Sequence, residues 1–179
     1  AMRMLKEPGQ SARYFYEEIG YNSRLDALQA VILSIKLRYL DDWNAQRREK
    51  AELYSEFLDR IPGIAIPTEL PGAQGVWNQY TIRVKSQDDR QNPASGNFRD
   101  SMRAQLQENG IGSMVYYPLP LHLQPVYKFL GYQPGQLPVS EQVSGEVLSL
   151  PMFPELLRDQ QERAIYALKD CLAVAAQIQ

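Results

Sequence analysis

The chain has 179 residues, of which 44% are hydrophobic and 22% charged, a composition typical of a folded protein long enough to bury a core. The formal net charge of -2 carries no basic surplus, which argues against nucleic acid as a partner. No apolar run approaches the roughly 20 residues that cross a bilayer, so we predict no membrane span. The single cysteine, Cys171, can form no internal disulfide and offers no metal-ligand spacing, which predicts a cytoplasmic protein without a metal site.

The first segment, residues 1–21, is predicted to be an extended connector. It contains a Pro8-Gly9 break, which is followed by the aromatic stretch Tyr14-Phe15-Tyr16. Residues 1–6 resemble the middle of an element rather than a beginning, so we expect the sequence to be part of a longer protein. The aromatic stretch is interpreted as an interface patch, with core packing as the alternative.

Two helices are predicted next. Apolar residues recur at intervals of three and four from residue 25 to residue 39, which indicates a helix with Ser23 as its N-cap. A second helix runs from about residue 41 to residue 60 and ends before Pro62-Gly63. One stripe of this helix consists of Trp43, Arg47, Ala51, Tyr54 and Leu58, and charged residues lie elsewhere.

Strands and helices then alternate along the chain. Residues 64–67 and 77–84 are predicted strands, and the second of them alternates apolar with polar side chains. A helix that starts near Phe98 ends at Asn109-Gly110, and residues 111–117 follow as a strand. This order predicts an α+β fold, in which a small antiparallel sheet has helices packed on one face and is preceded by a long helix.

The remaining residues are predicted to form a loop and two helices. Because residues 118–138 are rich in proline, we expect an ordered loop with at most one short helix, at residues 126–130. Helices are predicted at residues 139–148 and from residue 155 to about residue 175. The inward side chains of the last helix are expected to be Leu157, Ala164, Leu168 and Cys171.

Five motifs occur in an order that is typical of one enzyme family. They are GYNSR with QA at residues 20–30, R-R-x-x-A-x-x-Y at 47–54, Gly110-Ile111 before a strand, YPLPLHLQP at 117–125, and Glu141 followed by LSLPM at 148–152. Together they resemble the DegT/DnrJ/StrS sugar aminotransferases, and the resemblance covers nearly the whole chain. One of these motifs alone would be weak, but five in register are not expected by chance.

The resemblance implies a fold, a cofactor and a reaction. Members of this family are homodimers of a larger two-domain chain, in which pyridoxal phosphate forms a Schiff base with a lysine of the large domain. They usually move an amino group from glutamate to a keto group on a nucleotide-linked sugar. By resemblance, residues 1–22 are the linker from the large domain, and residues 23–179 are the small C-terminal domain of an aspartate-aminotransferase-like enzyme.

The lysines of this chain all lie downstream of the place where the family keeps its Schiff-base lysine. They are Lys6, Lys36, Lys50, Lys85, Lys128 and Lys169. We therefore predict no catalytic residue in this chain and no transamination by the chain alone, although the complete protein is expected to be a pyridoxal-phosphate-dependent transaminase. Two alternatives stay open: a non-catalytic module for dimerisation or sugar-nucleotide binding, and part of a related sugar dehydratase.

Four residues are predicted to bind ligands. By resemblance, Asn22 reaches across the dimer interface and donates its side-chain amide to the cofactor phosphate of the partner subunit, although an Asn before a helix N-cap is also a common turn residue. Arg24 lies near a helix N-terminus, where a cation is not favoured, which suggests an anionic substrate group or else a solvated arginine. His122, the only histidine, and Tyr117 are predicted to contact the substrate, because this loop covers the sugar in the family. Structural packing is the alternative for both.

Overall fold

The computed structural model of the protein describes residues 2–12, 14–21, 23–85 and 98–177. The chain divides into two compact units, residues 1–42 and residues 43–179. The predicted boundary after residue 22, between a linker and a small domain, stays a prediction.

The first unit begins with a short helix, α1 (Met2–Leu5), and an antiparallel strand pair, β1 (Gln10–Ala12) and β2 (Phe15–Tyr16). The prediction of an extended connector is therefore wrong for this segment. Gly9 adopts a φ of 85°, which only glycine tolerates well, and its carbonyl accepts a hydrogen bond from the amide of Glu17. The chain can thus fold back on itself within a few residues.

The helix α2 (Ala27–Leu37) completes the regular structure that lies wholly within this unit. Its N-cap is Asp26, whose side chain accepts a hydrogen bond from Leu28 N at 2.8 Å. The prediction of Ser23 as the N-cap is wrong, because the Ser23 amide donates to Lys6 O and the helix begins only at Ala27. Every residue of α2, all of which the structure describes, is exposed or only partly buried.

The second unit contains a three-stranded antiparallel sheet in the order β3-β4-β5. Its strands are β3 (Ile64–Ala65), β4 (Tyr80–Val84) and β5 (Val147–Leu150). Side chains of β4 alternate between buried and half-buried, as the alternating sequence predicted. The helix α3 (Leu40–Leu58) buries Ala51, Tyr54 and Leu58, so those three members of its predicted stripe are confirmed.

One strand prediction and the end of one helix prediction fail around β5. Residues 111–117 form no named strand among the described residues, and Met114 instead makes a single antiparallel bridge to Ser149. The helix predicted at 139–148 is α5 (Pro138–Glu146), and its expected last turn is the start of β5. All four residues of β5 are buried, and a short continuous apolar run has the same sequence pattern in a buried strand and in a helix.

Two further helices, α4 (Phe98–Glu108) and α6 (Arg158–Gln177), complete the core. Met102 and Leu106 of α4, and Ala164, Leu168 and Cys171 of α6, are buried in one cluster with α3 and β4. Leu157 is 59% exposed, so its predicted inward position is wrong. It precedes α6, and Leu156 is buried in its place.

The proline-rich loop contains two 3-10 helices, Leu121–Leu123 and Pro125–Leu130. The second matches the short helix predicted at 126–130. The first was not predicted, because we expected at most one short helix in this loop. With the small antiparallel sheet and its helices, the second unit confirms the predicted α+β class.

Candidate functional site

A cavity of about 710 Å³ lies between the proline-rich loop and α5 in the second unit. Its wall is mainly aromatic and aliphatic, with few polar groups, as is usual for ligand pockets. The aromatic and imidazole side chains that line it are Tyr116, Tyr117, His122, Tyr127 and Tyr132.

His122 belongs to the first 3-10 helix and is only 8% exposed. Its Nε2 atom lies 3.0 Å from Oε1 of Glu141. The edge of the Tyr132 ring meets the imidazole at a centroid distance of 6.0 Å and an interplanar angle of 80°. The ring is thus held from two sides in the cavity wall.

Glu141 lies in the first turn of α5, and its carboxylate accepts hydrogen bonds from the loop that precedes this helix. The backbone amide of Gly135 donates to both carboxylate oxygens, at 2.9 and 2.8 Å, and the amide of Leu137 donates to Oε1 at 3.2 Å. The Gly135 amide is the largest cause that lowers the pKa of Glu141 below its usual value, and the hydrogen bond to His122 lowers it further. The carboxylate is therefore favoured in its charged form.

Tyr117 lies at the rim of the same cavity and is 72% exposed. Its ring meets that of Tyr116 edge-on, with a centroid distance of 5.7 Å. The structure therefore brings together two of the four predicted ligand-binding residues, Tyr117 and His122, in one cavity.

Of the other two predicted residues the structure describes only Arg24, which is not among the residues that line this cavity. Arg24 lies in the first unit, in the extended segment before α2, and is exposed. Asn22 lies outside the described residues.

A smaller cavity of about 200 Å³ is lined by residues from three segments, among them Asn78, Gln79 and Ser113. The Ser113 hydroxyl is buried and has no hydrogen-bond partner within the part of the chain that the structure describes. Polar groups from the segment before β4 and from the segment after α4 thus converge here.

The sequence model of the DegT/DnrJ/EryC1/StrS aminotransferase family matches residues 1–169 of the chain. The chain belongs to this family. A pleiotropic regulatory protein of Geobacillus stearothermophilus is 46% identical over 165 residues, which are 91% of this chain and 41% of the relative. A dTDP-3-amino-3,4,6-trideoxy-alpha-D-glucose transaminase of Streptomyces venezuelae is 37% identical over 169 residues, 94% of this chain and 41% of that protein.

Solved structures agree with this assignment. Streptomyces venezuelae DesV, crystallised in complex with a ketimine intermediate, is 37% identical and has a TM-score of 0.83 over 94% of this chain and 42% of its own. NtdA of Bacillus subtilis, with the cofactor PMP bound, is 25% identical with a TM-score of 0.75 over 95% of this chain and 38% of its own. The chain thus spans about two fifths of the length of the proteins that it matches.

The family depends on pyridoxal phosphate, which its members hold as a Schiff base with a lysine. A lysine is required for the Schiff base, yet no lysine lines these two cavities or a third cavity of about 400 Å³ beside α6. The ammonium of Lys169, on α6, lies over the Phe57 ring, 5.3 Å from the ring centroid. The residues that line these cavities therefore do not fit a covalently attached cofactor.

The described ranges contain no group of three or more His, Cys, Asp or Glu side chains that could hold a metal ion. Within the same ranges no helix is long and apolar enough to span a membrane.

Glu141 is the main residue that sequence reasoning missed, since it was noted only as part of a motif. The available signal was an acidic residue in the first turn of a helix that follows a Gly-containing loop, an arrangement that favours hydrogen bonds to loop amides. Tyr132 gave no such signal, because only the folded loop places its ring beside His122.

Proposed function

We propose that this chain is part of a pyridoxal-phosphate-dependent aminotransferase that transfers an amino group from glutamate to a nucleotide-linked keto sugar. The observation that carries the proposal is the cavity of about 710 Å³ that Tyr117 and His122 both line. The wall combines apolar surface with a few polar groups, which suits the ring and hydroxyl groups of a sugar.

In this proposal the chain supplies substrate contacts rather than the reacting amine. His122 and Tyr117 contact the sugar, and Arg24 binds an anionic group of the substrate. Asn22 donates its side-chain amide to the cofactor phosphate of the partner subunit. Pyridoxal phosphate supplies an electron sink when it is bound in the complete protein. The PMP found in the Bacillus subtilis relative supports this cofactor.

A homodimer is the proposed assembly. Support comes from the first unit, where the apolar side chains of α2 are exposed, as are Tyr14, Phe15 and Tyr16 of the preceding segment. Exposed apolar groups in such numbers are unusual unless another surface covers them. We also place the protein in the cytoplasm, which the single, buried Cys171 supports.

The direct experiment measures 2-oxoglutarate release from glutamate by the complete protein with dTDP- and UDP-linked keto sugars. We expect His122→Ala and Tyr117→Phe to lower kcat/KM by about tenfold each, as is typical for the loss of one substrate hydrogen bond. Glu108→Ala, which removes an exposed carboxylate at the end of α4, serves as the matched control. Failure of the wild-type protein to turn over any of these sugars would overturn the proposal.

A second candidate function is a non-catalytic module for dimerisation or sugar-nucleotide binding. It is favoured by the lack of a lysine among the residues that line the described cavities. The regulatory name of the Geobacillus stearothermophilus relative points the same way. Calorimetry on the 179-residue chain separates the two functions, because a free-standing module binds a nucleotide sugar without the rest of the enzyme.

A further inference from the structure

The contacts of Glu141 connect two features that are otherwise separate in sequence, the His122 ring and the loop before α5. One oxygen, Oε1, accepts from Gly135 N at 2.9 Å and from Leu137 N at 3.2 Å and also lies 3.0 Å from His122 Nε2. A carboxylate in its charged form has only acceptors to offer. In the hydrogen bond between the two side chains, His122 Nε2 therefore carries the hydrogen and donates it to Glu141 Oε1.

This arrangement fixes the chemistry of the neutral imidazole. A neutral histidine carries one ring hydrogen, so a hydrogen on Nε2 makes Nδ1 the acceptor of the ring. The ring can then receive a hydrogen bond from a hydroxyl group, and sugars present several such groups. A neighbouring carboxylate that holds one tautomer of a histidine is a common device in enzyme sites.

We propose that Glu141 is a positioning residue, which holds the hydrogen of His122 on Nε2 so that, in the neutral ring, Nδ1 accepts a hydrogen bond from a sugar hydroxyl in the cavity. The inference rests on the proposed function only for the identity of the ligand. The positioning of His122 by Glu141 stands on the contacts alone. Glu141 touches neither substrate nor reacting atoms and acts through His122.

The tautomer is measured first, by nitrogen NMR of the 179-residue chain labelled with ¹⁵N-histidine. Because His122 is the only histidine in the sequence, its two ring nitrogens are assigned without ambiguity. For the neutral ring we expect the hydrogen on Nε2 and a ring N–H signal that is protected from exchange with water. In Glu141→Ala the protection is lost, whereas Glu108→Ala leaves it unchanged.

This measurement can overturn the inference in two ways. A wild-type ring with its hydrogen on Nδ1 would do so regardless of how well the variant folds. Retention of the protected Nε2 hydrogen in a folded Glu141→Ala variant would do so as well, since another group would then hold the ring.

The role in ligand binding is measured in the complete protein by calorimetry with dTDP- and UDP-linked amino sugars. We expect Glu141→Ala and His122→Ala each to weaken binding by about tenfold, and the double variant to be no weaker than His122→Ala. Losses that multiply in the double variant would contradict action through His122. Unchanged binding in His122→Ala would overturn both the sugar contact and the proposed role of Nδ1, while the tautomer result would still report on the positioning itself.

Discussion

The two longest helices of the N-terminal half differ in a way that composition alone would not suggest. In α2 most residues are apolar, yet Leu28 is 76% exposed and Ile32 is 55% exposed. In α3 most residues are polar, yet Tyr54 and Leu58 are completely buried. The more apolar helix is thus the more exposed one.

The difference shows that an apolar pattern identifies a surface that becomes buried, but does not identify the part of the protein or the partner against which it packs. The apolar stripe of α3 is narrow, with Ala51, Tyr54 and Leu58 spaced three and four residues apart, and it meets the core of the second unit. Apolar side chains lie on several sides of α2, a pattern typical of a helix that is enclosed. We infer that its cover lies outside the residues that the structure describes.

The largest effect that tests this comparison is expected from shortening one leucine in each helix. Leu58→Ala should lower the free energy of unfolding by about 2–5 kcal/mol, because it leaves a cavity in a closely packed core. Leu28→Ala should change it by less than about 0.5 kcal/mol, since an exposed side chain loses little on truncation. Urea unfolding of the 179-residue chain, followed by circular dichroism, measures both.

The matched pair also has a clear contrary outcome. Equal losses in the two variants would mean that Leu28 is covered within the chain, and the contrast between the helices would then disappear. A change in the slope of the urea transition would reveal altered compactness instead of altered stability.

The second prediction concerns Tyr54, whose hydroxyl donates to Pro151 O at 3.0 Å. Tyr54→Phe removes this hydrogen bond and should lower the free energy of unfolding by about 1 kcal/mol at neutral pH. Burial is the largest cause that raises the pKa of the Tyr54 phenol above its ordinary value of 10.0. The unfolded chain therefore loses the Tyr54 proton first as the pH rises.

The sign of the pH dependence follows from this difference. The stability that Tyr54 contributes by staying neutral is fully present below pH 10.0 and is lost as the pH rises above that value. Wild-type protein should consequently lose stability more steeply than Tyr54→Phe in that range. Parallel alkaline curves for the two proteins would show that Tyr54 ionises freely in the folded state. Tyr80, which stacks on Tyr54 and whose pKa is also raised by burial, is unchanged in both proteins.

The same contrast explains which features could be predicted from the sequence. Strongly periodic segments such as α3, α4 and β4 were placed within a few residues, because their apolar spacing matches a single buried face. The strand β5 was not predicted, because it forms by pairing with β4, which lies more than 60 residues earlier in the sequence. The motif around His122 identified the loop, but the bond to Glu141, nineteen positions away, depends on how the loop folds back.

The smallest effect is expected when a polar residue replaces an apolar one on α2. Ile32→Gln should change the free energy of unfolding of the 179-residue chain by less than about 0.5 kcal/mol, because no buried contact is lost. The same exchange in β4, Ile82→Gln, places an amide at a site that is 0% exposed and should cost several times more. In the complete protein, where we expect α2 to be covered, Ile32→Gln should become destabilising or shift the dimer towards the monomer in analytical ultracentrifugation. If Ile32→Gln has no effect in either setting, α2 is exposed in the assembled enzyme too, and its apolar surface needs an explanation other than burial against a partner surface.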